Sequence, residues 1–327
     1  MDLLERLRHR AALLQRTRRF FDARGFIEVD TPVLDAEVIP ELHIEPIATE
    51  SSGHGTELGW LQASPELGMK RLMTRGGAAI YQICKAFRAG ERGRLHRTEF
   101  TMVEWYRAGD DYRAGIDLLK ALTRELLSVS DVEEIAYRDA LMRFANVDPW
   151  TASDGELSRL AGALSGVDAS PGEEFDRDDW LNVILAIAVE PKLGSERPVV
   201  LTDYPATQAA LAVTAARDVS NAPGGATQVE VAERFELYFR GVELANGYHE
   251  LADGEQLRLR LECVNVQRAA MGLRRLPMPQ GLLRDMATLG LPACAGCALG
   301  FDRAAMLAAG GDSLADVEGL NAGEGID

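Results

Sequence analysis

FRAGERGRLHRTEFTMVEWY, residues Phe87 to Tyr106, is the most informative stretch of the chain. The run YQICKAFR that leads into it is rich in β-branched and aromatic residues, and two glycines among charges separate it from EFTMVEWY. This pattern predicts a β-hairpin. Because alternate residues of a strand share a face, Phe100, Glu104 and Tyr106 would lie together. An aromatic face that carries a carboxylate suits a ligand site better than a dry core.

Composition and charge narrow the class of protein. The 327 residues are 46% hydrophobic, which is ample for a sizeable core. The longest apolar run, residues 183–189, is far shorter than the about 20 residues that span a bilayer. The charged start MDLLERLRHR does not resemble a signal peptide. We therefore expect a cytoplasmic protein without membrane contact. The net charge of −16 argues against stable nucleic-acid binding.

Periodicity predicts helices interleaved with strands. Apolar spacing indicates a helix over residues 3–24 that ends at Gly25. Alternation over residues 26–34 indicates a strand at an edge or interface, because Pro32 cannot donate to a ladder. Further predictions are a helix that begins at Ser64-Pro65, helices at 112–129, 178–190 and 256–272, a strand at 199–205, a hairpin of 232–240 with 242–250, and a strand from 296 that runs into a final helix. Together they predict one α+β domain over residues 1–327, with a mostly antiparallel sheet flanked by helices.

Two arginines are candidates for phosphate binding. The chain has neither a GxxxxGK[ST] loop nor a GxGxxG after a strand, so side chains would have to hold any phosphates. Arg88 and Arg303 each lie beside a glycine-containing turn, and a guanidinium offers a bidentate fork to phosphate oxygens. For either arginine alone, the sequence favours a structural ion pair over phosphate binding.

The segment ELANGYHEL carries a polar string, Glu243, Asn246 and Glu250, on a predicted strand. Buried carboxylates are costly unless they hold cations. Two carboxylates together with nucleotide phosphates are typical of a magnesium site, although a solvated strand face would also explain them.

An ammonium-bearing ligand could be surrounded by four groups: Glu66, Glu104, Tyr106 and Glu250. A ligand that leaves one of their hydrogen bonds unformed would bind more weakly, so the site would select for the ammonium group. The residues alone predict an ATP-using enzyme with a small cationic substrate.

Three motifs in order resemble those of the catalytic domain of class II lysyl-tRNA synthetases. They are Gly25-Phe-Ile-Glu-Val-Asp-Thr-Pro32, then Phe87-Arg88 through Glu99-Phe100-Thr101, and finally Gly300-Phe-Asp-Arg303. Within that group, the phrases EFTMVEWYR, VAERFELYFRG and ELANGYHEL look most like the shortened elongation factor P–lysine ligases. The first helix leads directly into the first motif, so we expect no anticodon-binding domain.

The resemblance implies the class II synthetase fold, a homodimer joined near residues 25–34, ATP with Mg²⁺, and lysine or (R)-β-lysine as substrate. It also implies that Arg88 and Arg303 are catalytic and that Phe100 stacks on adenine. The ATP site would comprise Arg88, Ala89, Gly90, Glu91, His96, Arg97, Phe100, Glu243, Leu244, Gly300 and Arg303. The substrate site would comprise Ser64, Pro65, Glu66, Glu104, Tyr106, Asn246 and Glu250. Magnesium would bind at Glu243 and Glu250.

The second motif departs from the family pattern. Arg88-Ala89-Gly90-Glu91 stands where Arg-Asn-Glu is usual, and Arg97-Thr98 replaces Asn-Pro. Two ways of keeping the adenine contact stay open: Glu91 substitutes by a one-residue shift of the loop, or backbone groups provide the specificity. We expect Arg97 to add positive charge near the phosphates.

The implied activity is adenylation of lysine followed by transfer to a lysine side chain of elongation factor P. Two alternatives stay open: a free-standing enzyme that charges tRNA, and an inactive regulator that binds lysine.

Overall fold

The computed structural model describes residues 1–50, 57–167, 175–221 and 225–319. Their strands, in chain order, are β1 (Ile27–Glu28), β2 (Leu34–Asp35), β3 (Ile47–Glu50), β4 (Glu57–Leu61), β5 (Ala79–Phe87), β6 (Glu99–Ala108), β7 (Glu133–Ala136), β8 (Val199–Pro205), β9 (Thr214–Asn221), β10 (Gly225–Phe239), β11 (Val242–His249) and β12 (Cys294–Gly300). The α-helices are α1 (Leu3–Asp22), α2 (Glu66–Thr74), α3 (Tyr112–Leu127), α4 (Tyr137–Ala145), α5 (Asp154–Ser165), α6 (Arg177–Ile184), α7 (Gly254–Ala270), α8 (Gln280–Leu289) and α9 (Phe301–Ala308).

Within this described part, a nine-stranded sheet has the order β1-β5-β6-β12-β11-β10-β8-β7, and β9 pairs with β10. The pairs β1/β5 and β7/β8 are parallel, and the others are antiparallel. A smaller sheet has the order β2-β4-β3. The predicted α+β class with a mostly antiparallel sheet is therefore confirmed. The domain prediction extends to residues 320–327, which lie outside the described part.

The hairpin that opened the sequence analysis is confirmed. β5 pairs with β6 from Phe87 opposite Glu99 to Ala79 opposite Arg107. Val103 and Trp105 are buried in the main apolar core. The alternate side chains of β6 line a cleft on the other face of the sheet. The alternation thus assigns each face of β6 correctly.

The predicted strand over residues 26–34 is wrong as a single element. β1 covers two residues at the edge of the large sheet, whereas β2 belongs to the small one. Pro32 lies between them and has no amide hydrogen for a ladder, so the chain passes from one sheet to the other there.

The predicted helices and the second hairpin are present with shifted ends. α1 begins with a capping box, in which Asp2 and Glu5 satisfy each other's backbone amides, and Gly25 beyond its end has φ +76°. α6 ends at Ile184, where a π-helical turn, Leu185–Val189, replaces the rest of the predicted helix. Pro65 lies at the N-cap of α2 rather than at its first helical position. In the described part of the chain, no helix is long and apolar enough to span a membrane.

Candidate functional site

A cleft of about 950 Å³ runs along the sheet face formed by β6, β10, β11 and β12. It brings together most residues predicted from the sequence: Ser64, Glu66, Arg88, Glu91, His96, Arg97, Phe100, Glu104, Tyr106, Glu243, Leu244, Asn246, Glu250, Gly300 and Arg303. Pro65, Ala89 and Gly90 do not line it. The amide of Ala89 donates to Glu45 O at 2.8 Å, and Gly90 forms the turn with φ +77°.

Two carboxylates at the acidic end of the cleft pair with a buried lysine that the sequence analysis did not identify. Lys70 Nζ lies 2.5 Å from Glu66 Oε1 and 2.7 Å from Glu250 Oε2, and its side chain is 2% exposed. The helix α2 supplies Glu66 and Lys70 one turn apart, while Glu250 follows β11 directly. Burial raises the pKa of Glu250 to about 7, although Lys70 opposes the shift.

Glu104 and Tyr106 form the second part of this end. The phenol of Tyr106 donates to Glu104 Oε1 at 2.6 Å. The other carboxylate oxygen, Glu104 Oε2, is buried and has no hydrogen-bond partner among the described residues. Burial, with Glu66 next, raises the pKa of Glu104 well above its usual range. A buried acceptor without a donor is costly, so this atom is suited to receive an ammonium group.

Gly296 of β12 makes room for these side chains. It lies opposite Tyr106 on β6 and Tyr248 on β11 in the sheet register. A Cβ atom at this position would lie 2.3 Å from Tyr106 Cε1 and 2.5 Å from Glu250 Oε1. The pocket therefore requires glycine here.

The basic end contains Arg303 and His96. Arg303 donates from Nη1 to Glu243 O at 3.0 Å and from Nε to Leu95 O at 3.1 Å. Its Nη2 lies 2.7 Å from His96 Nε2. Because guanidinium can only donate, His96 Nε2 accepts, and burial together with Arg303 lowers the pKa of His96. His96 thus helps to hold Arg303 in position without adding charge.

Arg88 lies over the ring that was predicted to stack on adenine. Its Cζ is 5.1 Å from the centre of the Phe100 ring, and its Nε donates to Ala63 O at 3.3 Å. The Arg88 Nη1 atom is 3.6 Å from Glu91 Oε1. Glu91 thus lies beside Arg88, and its substitution in the adenine contact stays a prediction.

Arg97 also lines the cleft, but its charge has a partner. Its Nη2 lies 2.8 Å from Glu318 Oε2, and its Nη1 donates to the carbonyls of Gly93 and His96. The Glu318 carboxylate therefore offsets much of the positive charge that Arg97 was predicted to add near the phosphates.

Glu243 and Glu250 have different electrostatic neighbours. Burial raises the pKa of Glu243 to about 7, with Glu236 as the next cause and Arg303 opposing it. Glu250 faces Lys70 and Glu66 instead. Among the described residues no group of three or more His, Cys, Asp or Glu side chains is arranged to hold a metal ion. A pair of carboxylates completed by phosphate oxygens still suits magnesium, so the magnesium site at Glu243 and Glu250 stays a prediction.

Glu236 itself is held by a buried network that the sequence analysis missed. Its Oε2 accepts hydrogen bonds from Tyr204 at 2.5 Å and Tyr238 at 2.6 Å, and Arg234 pairs with Oε1. Arg234 and Tyr238 stand two residues on either side of Glu236 on β10, a spacing that could have identified them, whereas Tyr204 comes from β8. The spacing of Glu66 and Lys70 on one helix was likewise a signal that could have identified that pair.

A comparison with protein families agrees with this geometry. Residues 2–320 match the family described as tRNA synthetases class II (D, K and N). The match covers nearly the whole chain, including every residue of the cleft.

Proposed function

Because the chain belongs to the class II tRNA synthetases (D, K and N), whose members activate an amino acid with ATP, we propose that its amino acid is lysine or (R)-β-lysine. We further propose that the activated lysyl group passes to a lysine side chain of elongation factor P. The enzyme would then be a ligase that forms an amide and converts ATP to AMP and pyrophosphate.

The observation that carries the proposal is the acidic end of the cleft. Glu66, Glu104 and Glu250 converge there with Tyr106, and one carboxylate oxygen of Glu104 has no partner in the described chain. A neutral amino acid side chain would leave that oxygen unpaired, whereas an ammonium group would satisfy it. Arginines lie at the opposite end, where the substrate carboxylate and the phosphates would bind.

In the proposed first step, a carboxylate oxygen of the substrate attacks the α-phosphorus of ATP in line. A new P–O bond forms, the bond to the β-phosphate oxygen breaks, and pyrophosphate leaves. Arg88 orients the carboxylate and the α-phosphate, and Arg303 binds the distal phosphate. Both stabilise the charge that gathers on the phosphoryl oxygens. Magnesium, predicted at Glu243 and Glu250, would neutralise further phosphate charge.

In the second step, the neutral ε-amine of the acceptor lysine attacks the acyl carbon of the adenylate. The C–N bond forms, AMP leaves, and the amine loses a proton. The net charge of −16 supports a protein acceptor over tRNA, because nucleic-acid binding depends on neutralising phosphates.

A homodimer also belongs to the proposal. Three apolar side chains are exposed near the first motif: Ile27 within it at 65%, and Val33 and Leu34 directly after it at 40% and 43%. They lie at the sheet edge and next to it, where a second copy would cover them.

Exchange of labelled pyrophosphate into ATP tests the activation step. We expect exchange that depends on lysine or (R)-β-lysine, and none with norleucine, which lacks the side-chain ammonium. Absence of exchange with both diamino acids would favour the inactive regulator. Lysyl transfer to tRNA, with none to elongation factor P, would favour the free-standing synthetase.

A further inference from the structure

Lys70 is the least expected group beside the cleft, because it places a cation next to the carboxylates where a cationic substrate is proposed to bind. Its ammonium is buried between two carboxylates, 2.5 Å from Glu66 and 2.7 Å from Glu250. Lysine is rarely buried unless it is paired, so these two contacts account for its position.

We propose that Lys70 is a positioning residue, a fixed internal counterion that holds Glu66 and Glu250 in place and sets the charge of the pocket to match a substrate with two ammonium groups. This inference rests on the proposed function.

Charge counting supports the match. Three carboxylates, Glu66, Glu104 and Glu250, and the Lys70 ammonium group carry two negative charges together when all four are ionised. Burial raises the pKa of Glu104 and Glu250, and an ammonium group that binds beside them favours their charged form. Lysine and β-lysine each carry two ammonium groups, and their carboxylate is left for Arg88. Without Lys70 the pocket would hold three negative charges in a poorly solvated space.

The geometry fixes which carboxylate oxygens are taken. Lys70 donates a hydrogen bond to Oε1 of Glu66 and lies at ion-pair distance from Oε2 of Glu250, which accepts no hydrogen bond among the described residues, and Tyr106 donates to Oε1 of Glu104. Glu104 Oε2 has no partner in the described chain, so a substrate ammonium finds an acceptor that is already oriented. The polar groups that influence this cluster come from several elements: Glu66 on α2, Glu104 and Tyr106 on β6, His249 on β11, Glu250 after it, Cys294 on β12, and Glu41 before β3.

Amino acid dependence of pyrophosphate exchange tests the role in binding. Lys70→Met removes the charge and keeps an unbranched apolar chain. We expect its KM for lysine to rise by about tenfold or more, the equivalent of one lost interaction of about 1.4 kcal/mol, because the two carboxylates repel each other and lose their arrangement. The KM for ATP should stay within about twofold. Lys70→Arg keeps the charge on a bulkier group and should recover part of the lost lysine affinity, so that its KM for lysine lies between those of the parent and Lys70→Met. A lower lysine KM in Lys70→Met would mean that Lys70 competes with the substrate, and an unchanged one that it does not position the pocket; either result overturns the proposal.

Thermal unfolding of the free protein tests the counterion role without any substrate. Removing one partner of a buried pair leaves the other uncompensated, so Lys70→Met should lower the Tm by about 6 °C or more. A double-mutant cycle with Glu250→Gln tests the coupling of the two residues. The Tm of the double variant should fall by clearly less than the sum of the falls in the two single variants. Additive losses would show that Lys70 contributes packing alone and would overturn the proposal. This arm stays informative if no amino acid supports exchange, so failure of the counterion role and failure of the proposed function are distinguishable.

Discussion

Gly296→Ala should damage the amino acid end of the cleft while leaving the nucleotide end intact. The new methyl group would lie 2.3 Å from Tyr106 Cε1 and 2.5 Å from Glu250 Oε1. Carbon atoms in contact are about 3.5–4.0 Å apart, so Tyr106 must move by roughly 1 Å. That movement breaks the 2.6 Å hydrogen bond to Glu104, and movement of Glu250 disturbs its pair with Lys70.

Overpacking of this kind costs about 1–3 kcal/mol. If the cost falls on the pocket, the KM for lysine rises by about tenfold to a hundredfold, and the KM for ATP changes by less than about twofold. Pyrophosphate exchange at varied lysine and then at varied ATP measures both constants. Gly155→Ala, on α5, is the matched control, since a Cβ atom there meets nothing within 4 Å. A lysine KM for Gly296→Ala equal to that of the control would refute the reasoning.

Three further predictions concern single contacts. Tyr106→Phe removes the donor to Glu104 and should raise the KM for lysine about tenfold in the exchange assay; an unchanged KM would place the ammonium elsewhere. Burial raises the pKa of Glu41 to about 7, so its contribution to stability is present below about pH 4.5 and is lost as the pH rises through about 7. Glu41→Gln should therefore flatten the fall of Tm between pH 5 and pH 8, and an unaltered slope would contradict the shift. Arg97→Ala leaves Glu318 without this ion pair, so its negative charge is no longer offset near the predicted phosphate site. In the exchange assay the KM for ATP should rise by about twofold to fivefold, without a change in the KM for lysine.

The features that the sequence predicted well depend on local patterns. The strands β5 and β6 follow from β-branched and aromatic residues and a glycine-containing turn, and strict alternation separates Trp105 in the core from Glu104 in the cleft. The same holds for β11, where the polar string correctly indicated a strand and Glu243 lines the cleft.

The features that it missed depend on partners distant in the chain. Glu250 is 180 residues from Lys70 (250 − 70), and Glu318 is 221 residues from Arg97. A guanidinium or ammonium looks free in the sequence until folding supplies its counterion. Alternation also failed at residues 26–34, because a period of two does not reveal that successive pieces of an extended chain join different sheets.

The central claim is that an enzyme with a carboxylate-lined pocket for lysine or (R)-β-lysine transfers the activated lysyl group to a protein. One competition experiment tests it most directly. The protein, ATP, Mg²⁺ and (R)-β-lysine or lysine are incubated with elongation factor P and lysine-accepting tRNA together, and Arg88→Ala serves as the blank. The account predicts that intact-mass spectrometry finds factor P heavier by one lysyl group, with no acid-precipitable charged tRNA and no product from the blank. Charged tRNA beside unmodified factor P would contradict it.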